Sequence, residues 1–233
     1  MKNVLLTAAL SLLALAPALA QTTEVRPVAN FHAIDVSTGI ELTLTSGDTE
    51  RVEASADTPE ALGHLKTTVS DGVLRVKFEW LKSQPWRGTN HGHHLRVAVT
   101  AAQLTGIEAS SGASVKVQGT YPTSTLDLQT SSGASLKGDF TATSLLAHLS
   151  SGSEMVVTGT TKLIEVHTSS GSSFSGKRLQ AEECQATASS GASVVVGVQS
   201  TLSAEASSGG SVSYLGSPQV SKHTSSGGSV EPD

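Results

Sequence analysis

The stretch that decides the fold reads, in one of its clearest copies, Ile164-Glu165-Val166-His167-Thr168-Ser169-Ser170-Gly171-Ser172-Ser173-Phe174. Its central Ser-Ser-Gly occurs seven times, with the glycines Gly112, Gly133, Gly152, Gly171, Gly191, Gly209 and Gly227. Successive glycines are 21, 19, 19, 20, 18 and 18 residues apart. A period this narrow is typical of a solenoid, in which each repeat is one coil that buries its apolar side only against neighbouring coils.

Alignment of the repeats on their glycines shows apolar residues at odd offsets and polar residues between them. The position seven residues before the glycine is occupied by Thr105, Leu126, Leu145, Ile164, Cys184, Leu202 and Val220. The position three residues after it is occupied by Val115, Leu136, Met155, Phe174, Val194, Val212 and Val230. Alternation with period two predicts strands with one buried face. Cys184 shares an apolar column, so we expect a buried and unreactive thiol.

Each coil is therefore predicted to be a strand, a corner at Ser-Ser-Gly, a second strand and a polar connection. We expect the corner glycine either to have a positive φ or to let a neighbouring backbone approach closely. The corner serines are expected to form a hydroxyl ladder along the solenoid. The position after the glycine varies among Ala, Ser and Gly, so Ser172 is expected to tolerate substitution better than Gly171. The predicted fold class is all-β, a single-stranded parallel β-helix with coils of 18 to 21 residues.

The first half of the chain follows the same frame only once. Ser37-Thr38-Gly39 stands in for Ser-Ser-Gly, which makes Gly39 an eighth predicted corner. A short helix is predicted at Thr58-Pro59-Glu60-Ala61-Leu62, and residues 80–94 have no periodicity and are expected to form an exposed loop. We divide the exported chain into an irregular part, residues 21–103, and regular coils, residues 104–233, within one continuous solenoid.

Residues 1–20 have the pattern of a secretory signal peptide. Lys2 precedes an apolar run over residues 4–15, and Ala18-Leu19-Ala20 is a small-x-small cleavage signal before Gln21. The apolar run is too short to span a membrane, and we expect no transmembrane segment in the rest of the chain. The sequence thus predicts an exported protein, in the periplasm, at the outer membrane or outside the cell.

The composition limits which partners the protein can bind and which interactions can stabilise its fold. The formal net charge is -5 and the chain has no basic cluster beyond Lys177-Arg178, so nucleic acid is not expected as a partner. Cys184 is the one cysteine, which leaves no intrachain disulfide. Burial and hydrogen bonds between coils must stabilise the fold. The oligomeric state stays open.

The segment Phe31-His32-Ala33-Ile34-Asp35-Val36-Ser37-Thr38-Gly39-Ile40-Glu41, followed by Ser-Ser-Gly coils, resembles the head GIN domain family of bacteria. The resemblance covers almost all of the chain after residue 20. The Gly-Ile-Asn that gives the family its name is here Gly39-Ile40-Glu41. Membership would imply a right-handed β-helix and an exported protein described as a "putative auto-transporter adhesin", without an established activity.

Two histidine clusters are the candidate sites. Trp80, Trp86, His91, His93 and His94 belong to the aperiodic loop, where tryptophans can stack on sugar rings and histidines can bind metal. His148 and His167 occupy the same outward offset in adjacent coils, so their rings are expected to stack. A third metal ligand is not visible beside them, so no metal site and no cofactor are predicted.

The sequence predicts no catalytic residues. A β-helix enzyme needs clustered carboxylates, and no two neighbouring repeats place Asp or Glu at the same offset. No histidine with an acidic partner is expected beside a serine nucleophile.

We therefore expect a non-enzymatic, exported β-helix that acts as an adhesin or surface-interaction module, with an unknown ligand that is carbohydrate or protein. Two alternatives stay open. One is a carbohydrate-processing β-helix enzyme, and the other is a surface whose regular Ser and Thr array orders water or ice.

Overall fold

The computed structural model describes residues 22–79 and 94–233, so the predicted signal peptide and most of the aperiodic loop lie outside the described residues. The described part contains one helix and seventeen strands: β1 Thr22–Arg26, β2 Ala33–Val36, β3 Glu41–Ser46, β4 Arg51–Ala56, α1 Pro59–His64, β5 Leu65–Ser70, β6 Val73–Phe78, β7 Arg96–Ala101, β8 Gly106–Ala109, β9 Ser114–Pro122, β10 Thr125–Thr130, β11 Ser135–Leu149, β12 Glu154–Thr168, β13 Ser173–Ala188, β14 Ser193–Ala206, β15 Ser211–Leu215, β16 Gln219–Thr224 and β17 Ser229–Pro232.

The regular half is a parallel β-solenoid, which confirms the predicted fold class. Its coils stack in register, so that Leu126, Leu145, Ile164, Cys184, Leu202 and Val220 pair in succession along the stack. The strands before the glycine corners form one face, which we call the front face. The strands after the corners form the back face. Each of the long strands β11 to β14 runs from the back face of one coil to the front face of the next.

Each corner has the backbone pattern of a type I′ turn. The second serine has φ between 47° and 54°, and the glycine has φ between 68° and 77°, in all seven Ser-Ser-Gly copies. The residue after the glycine donates its N–H to the carbonyl of the first serine at 2.8 to 3.3 Å. A Cβ added at any of these glycines would meet no atom within 4 Å. The corner therefore needs glycine for its positive φ and not for a close approach.

The backbone, rather than the serine hydroxyls, forms the ladder between corners. Each corner glycine from Gly112 to Gly209 donates its N–H to the carbonyl of the second serine in the next coil, at 3.0 to 3.2 Å. In the part of the chain that the structure describes, the hydroxyls of the corner serines form no such ladder, contrary to the expectation. The backbone thus supplies the hydrogen bonds between successive corners.

The irregular half belongs to the same stack, but its order along the chain differs from its order in space. β2 and β3 lie between β8 and β9 on one side and β6 and β7 on the other. The coil of Gly39, formed by β2 and β3, therefore lies in the middle. The coil that follows it in the sequence, with β6 and β7, stacks on one side, and the next coil, with β8 and β9, stacks on the other side. Antiparallel pairs of β5 with β6, β4 with β7 and β1 with β4 complete this end.

Helix α1 closes the same end of the solenoid. Thr58 caps it by accepting a hydrogen bond from the N–H of Ala61 at 3.1 Å. Arg26 on β1 donates to the carbonyls of Leu62 and Leu65, at 2.9 and 3.3 Å, and ties the strand to the helix. Among the described residues, no helix has the length and apolar character needed to cross a bilayer.

The interior consists of aliphatic columns with a few large rings. Tyr121, Phe140 and Phe174 are fully buried, and the Tyr121 hydroxyl donates to the carbonyl of Ala101 at 3.0 Å. Cys184 is 2% exposed, as its column predicted. Ser172 is also buried, and its hydroxyl donates to the carbonyl of Ser169 at 2.7 Å. The position after the glycine therefore points inward, and the expectation that Ser172 tolerates substitution better than Gly171 stays a prediction.

Candidate functional site

His94, the last residue of the aperiodic loop, is held by hydrogen bonds to Asp57. His94 donates its backbone N–H to Asp57 Oδ2 at 3.0 Å, and its Nδ1 lies 2.9 Å from the same oxygen. Trp80, Trp86, His91 and His93 lie outside the described residues. The predicted ligand site in this loop stays a prediction.

A polar column on the front face is the most distinctive arrangement of side chains in the described part of the protein. Register pairing places its members side by side across nine strands, and it consists of Arg75, Asp35, Glu108, Gln129, His148, His167, Thr187, Glu205 and His223. Successive strands lie about 4.8 Å apart. Hydrogen-bonding groups therefore follow one another along the solenoid axis in equal steps.

Two imidazoles stand at the centre of this column. The rings of His148 and His167 stack with centroids 5.0 Å apart and planes inclined by 10°. His167 Nε2 lies 2.7 Å from Glu165 Oε1 on the same strand, which fixes the orientation of its ring. The stacking of the two rings follows from their common offset in adjacent coils.

Acidic side chains gather at one end of the column. Burial, Asp35 and Asp127 together raise the pKa of the Glu108 carboxyl, while Arg75 opposes them. Arg75 forms an ion pair with Asp35 at 3.8 Å. Asp127 Oδ2 accepts from Gln129 Nε2 at 3.0 Å, and its Oδ1 is buried without a hydrogen-bond partner. This end of the front face is therefore unfavourable for a negatively charged ligand.

A groove of about 340 Å³ runs between the polar column and the corners. Its outer wall consists of Glu108, Gln129, His148, His167 and Thr187, and its inner wall includes the first serines of four corners, Ser131, Ser150, Ser169 and Ser189. Leu149 is its apolar lining residue. We call this feature the polar groove. It crosses five coils, a length of about 19 Å at 4.8 Å per coil.

Free backbone groups lie in the corners, next to the serines of the inner wall. Within the described residues, the N–H of the second serine and the carbonyl of the glycine have no hydrogen-bond partner in any of the seven Ser-Ser-Gly corners. Both residues are exposed in every copy. Each coil thus presents one free donor, one free acceptor and serine hydroxyls beside the groove.

The structure places together several residues that the sequence analysis kept apart. Asp35 and Glu108 are neighbours at the same offset, because the coil of Gly39 stacks directly on that of Gly112. The prediction that neighbouring repeats share no acidic offset is therefore wrong, because these coils do not stack in chain order. Histidine–carboxylate pairs also exist, at His167–Glu165 and at His94–Asp57. The first pair has a sequence signal, since residues two apart on a strand share a face.

Metal binding finds limited support in the described ranges. No group of three or more His, Cys, Asp or Glu side chains converges there in a way that could hold a metal ion. His148 and His167 are adjacent but lack a third ligand of these types.

Comparison with known families gives one match over most of the chain. A family model described as "putative auto-transporter adhesin, head GIN domain" matches residues 30–218. No curated protein matches the chain.

Solved structures share the architecture. A protein described as a "putative adhesin" from Bacteroides fragilis has a TM-score of 0.80 at 17% identity, over 93% of this chain and 99% of its own. A second, from Parabacteroides distasonis, has a TM-score of 0.72 at 19% identity, over 92% and 97%. A third, from Parabacteroides merdae, has a TM-score of 0.70 at 16% identity, over 91% and 96%. At these identities the likeness establishes the fold.

Proposed function

The chain belongs to the head GIN domain family of "putative auto-transporter adhesins", and from this premise we propose that it is an exported, non-enzymatic adhesin whose polar groove binds a molecule at a cell surface. The signal-peptide pattern of residues 1–20 supports export.

The polar groove is the observation that carries this proposal. Its side chains and the free backbone groups of the corners repeat along the axis without a change of register. A row of equally spaced donors and acceptors suits the binding of an extended partner at many weak points, and many weak contacts give strong attachment when they act together. The rigid stack holds these groups in place before binding, which lowers the entropic cost of association.

Adhesion of coated beads tests the proposal. Beads carrying the purified protein are expected to attach to at least some members of a panel of animal and bacterial cells. The double variant His148→Ser with His167→Ser is expected to attach less. A matched control is Lys116→Ser with Lys137→Ser, which changes two exposed, register-paired residues on the back face. Attachment no better than that of albumin-coated beads would remove the proposal, as would recovery of the native protein in the cytoplasm after cell fractionation.

A carbohydrate-processing enzyme is the second candidate function, and one observation favours it. Glu108 has a raised pKa beside Asp35 and Asp127, and glycoside hydrolases pair a carboxyl of raised pKa with an ionised one. Release of reducing ends from a polysaccharide, abolished by Glu108→Gln, would support this function. An intact polysaccharide after long incubation would count against it.

A further inference from the structure

We propose that the ligand of the polar groove is a neutral, hydroxyl-rich glycan chain that lies along the solenoid axis. This inference rests on the proposed function and adds the chemical class and the orientation of the ligand. Four features of the groove carry it: its polarity, its saturated strand backbone, its charge and its repeat.

Polar residues line the groove, with the exception of Leu149. Leu149 is its one apolar lining residue, so a lipid tail or an apolar helix would find no continuous row of apolar side chains to pack against. The outer wall instead offers a carboxylate, an amide, two imidazoles and a hydroxyl. Except for the carboxylate, each of these groups both donates and accepts hydrogen bonds, as the hydroxyls of a sugar do.

The strand backbone in the groove has no capacity left for an extended peptide. A peptide that adds to a sheet needs a row of unpaired strand groups. Here the strands of the front face pair with neighbours on both sides, from β8 through β13. The free backbone groups nearby belong to the second serine and the glycine of each corner, which adjoin the lining serines and offer one donor and one acceptor per coil. Such isolated groups suit the scattered hydroxyls of a glycan.

The charge of the groove disfavours a polyanion. Glu108 faces Asp35 and Asp127, and Glu165 lies beside His167. The cation beside this cluster is Arg75, which is already paired with Asp35. A sulfated or uronic-acid polymer would place further negative charge against these carboxylates. A neutral glycan meets no such penalty, and Glu108 can accept bonds from its hydroxyls.

The repeat of the groove sets the orientation of the chain. Groups of the same kind recur only along the stacking direction, where each coil adds one outer side chain and one corner. A polymer across the strands would contact one or two coils. A polymer along the axis contacts five coils over about 19 Å. The central contacts are those with Gln129, His148 and His167.

Affinity for soluble polysaccharides tests the inference. We would measure binding of the full protein to mannan, dextran and xylan as neutral probes, and to hyaluronan and alginate as anionic probes. At least one neutral probe is expected to bind, and to bind at least tenfold more weakly to His148→Ser with His167→Ser. Lys116→Ser with Lys137→Ser is expected to bind like the unchanged protein. Thermal melting of both variants checks that they are folded.

Three results would overturn the inference. Equal affinity of the groove variant and the unchanged protein would place the glycan elsewhere. Preference for the anionic probes would contradict the charge argument. Attachment of coated beads to cells without binding of any polysaccharide would leave the proposed function standing and indicate a protein partner. Conversely, glycan binding without attachment of beads would remove the adhesin function and keep the ligand class.

Discussion

At the residue scale, two kinds of glycine explain the repeat. Corner glycines such as Gly171 have φ near +70° and open space around a would-be Cβ. Gly159 combines φ of +108° with a Cβ position that collides with the carbonyl oxygen of Phe140 in the preceding coil. Corner glycines can be recognised in the sequence, because they recur in every Ser-Ser-Gly. The role of Gly159 cannot be recognised there, because it depends on the distance between coils.

Substitution of the two glycines by alanine separates these roles. Gly171→Ala is expected to cost about 1 to 2 kcal/mol of unfolding free energy, the cost of a left-handed backbone for a residue with a Cβ. Gly159→Ala is expected to cost more, since strain and collision add. Chemical denaturation measures both. An unchanged midpoint for Gly171→Ala, or equal losses in the two variants, would contradict this explanation of the corner.

Cys184 gives a second test at this scale. Burial raises the pKa of its thiol to about 12, so the thiol is neutral at physiological pH. It is expected to react with a thiol reagent only after unfolding. Cys184→Ser is expected to destabilise by about 1 to 3 kcal/mol, because a hydroxyl replaces an apolar group in the core.

Ser203→Cys in the Cys184→Ser background is the matched control for reactivity, since Ser203 is exposed one coil further on and is expected to react at once. Rapid labelling of native Cys184 would show that its column is not buried.

At the scale of the elements, the stacking of β2 on β8 creates the acidic end of the polar column. Asp35 and Glu108 come from segments more than seventy residues apart, and their pairing depends on the return of the chain past the coil of Gly39. The sequence predicts the coil of Gly39 and the short helix that corresponds to α1, because local patterns specify them. It does not predict which coil lies next to which when the chain leaves sequential order.

The repulsion at this end has a consequence for stability. Because the folded state raises the pKa of Glu108 above 4.5, folding favours its protonated form, and the folded protein loses stability as the pH rises through that raised pKa. Glu108→Gln is therefore expected to raise Tm modestly at pH 7. The gain is expected to vanish below about pH 4, where Glu108 is protonated in both states.

Glu205→Gln controls for the loss of a charge from the same column, since Glu205 is paired in register with Thr187 and His223 rather than with carboxylates. A gain in Tm that is equal in the two variants, or independent of pH, would contradict the argument.

At the scale of the whole molecule, the two ends of the stack differ. Antiparallel strands and α1 cover one end, while β16 and β17 form the last described coil at the other. In that coil Lys222 stands in a column that is otherwise inward, yet it is exposed, and its Nζ donates to the carbonyl of Val230 at 3.3 Å. The side chain thus extends from β16 to β17, and its charge lies at strand edges that have no partner strand among the described residues.

Charge at an open edge opposes pairing with another edge. Lys222→Val is expected to increase self-association of the protein in sedimentation velocity, because it leaves an apolar surface beside unpaired strand groups. Lys222→Glu, which retains a charge, is expected to leave the distribution unchanged. A monomer distribution unaffected by Lys222→Val would show that another feature protects this edge.

Fold and site differ in how far the sequence determines them. The Ser-Ser-Gly period specifies coil length, the inward columns and the stacked pair of His148 and His167, since all three follow from register. Two features determine the polar groove: the position of the corner relative to the front face, and the free backbone groups of the turn. No sequence motif indicates either feature, because the type I′ turn consists of serine and glycine and contains no recognisable ligand-binding motif.

The position of a glycan along the polar groove can be measured by a nuclear magnetic resonance titration of ¹⁵N-labelled protein with the tightest-binding neutral polysaccharide. The amide signals of Ser131, Ser150 and Ser169, which line the groove, are expected to shift together with the signals of His148 and His167, while those of Lys116 and Lys137 on the back face stay in place. Shifts concentrated on the back face, or confined to residues outside the groove, would contradict it.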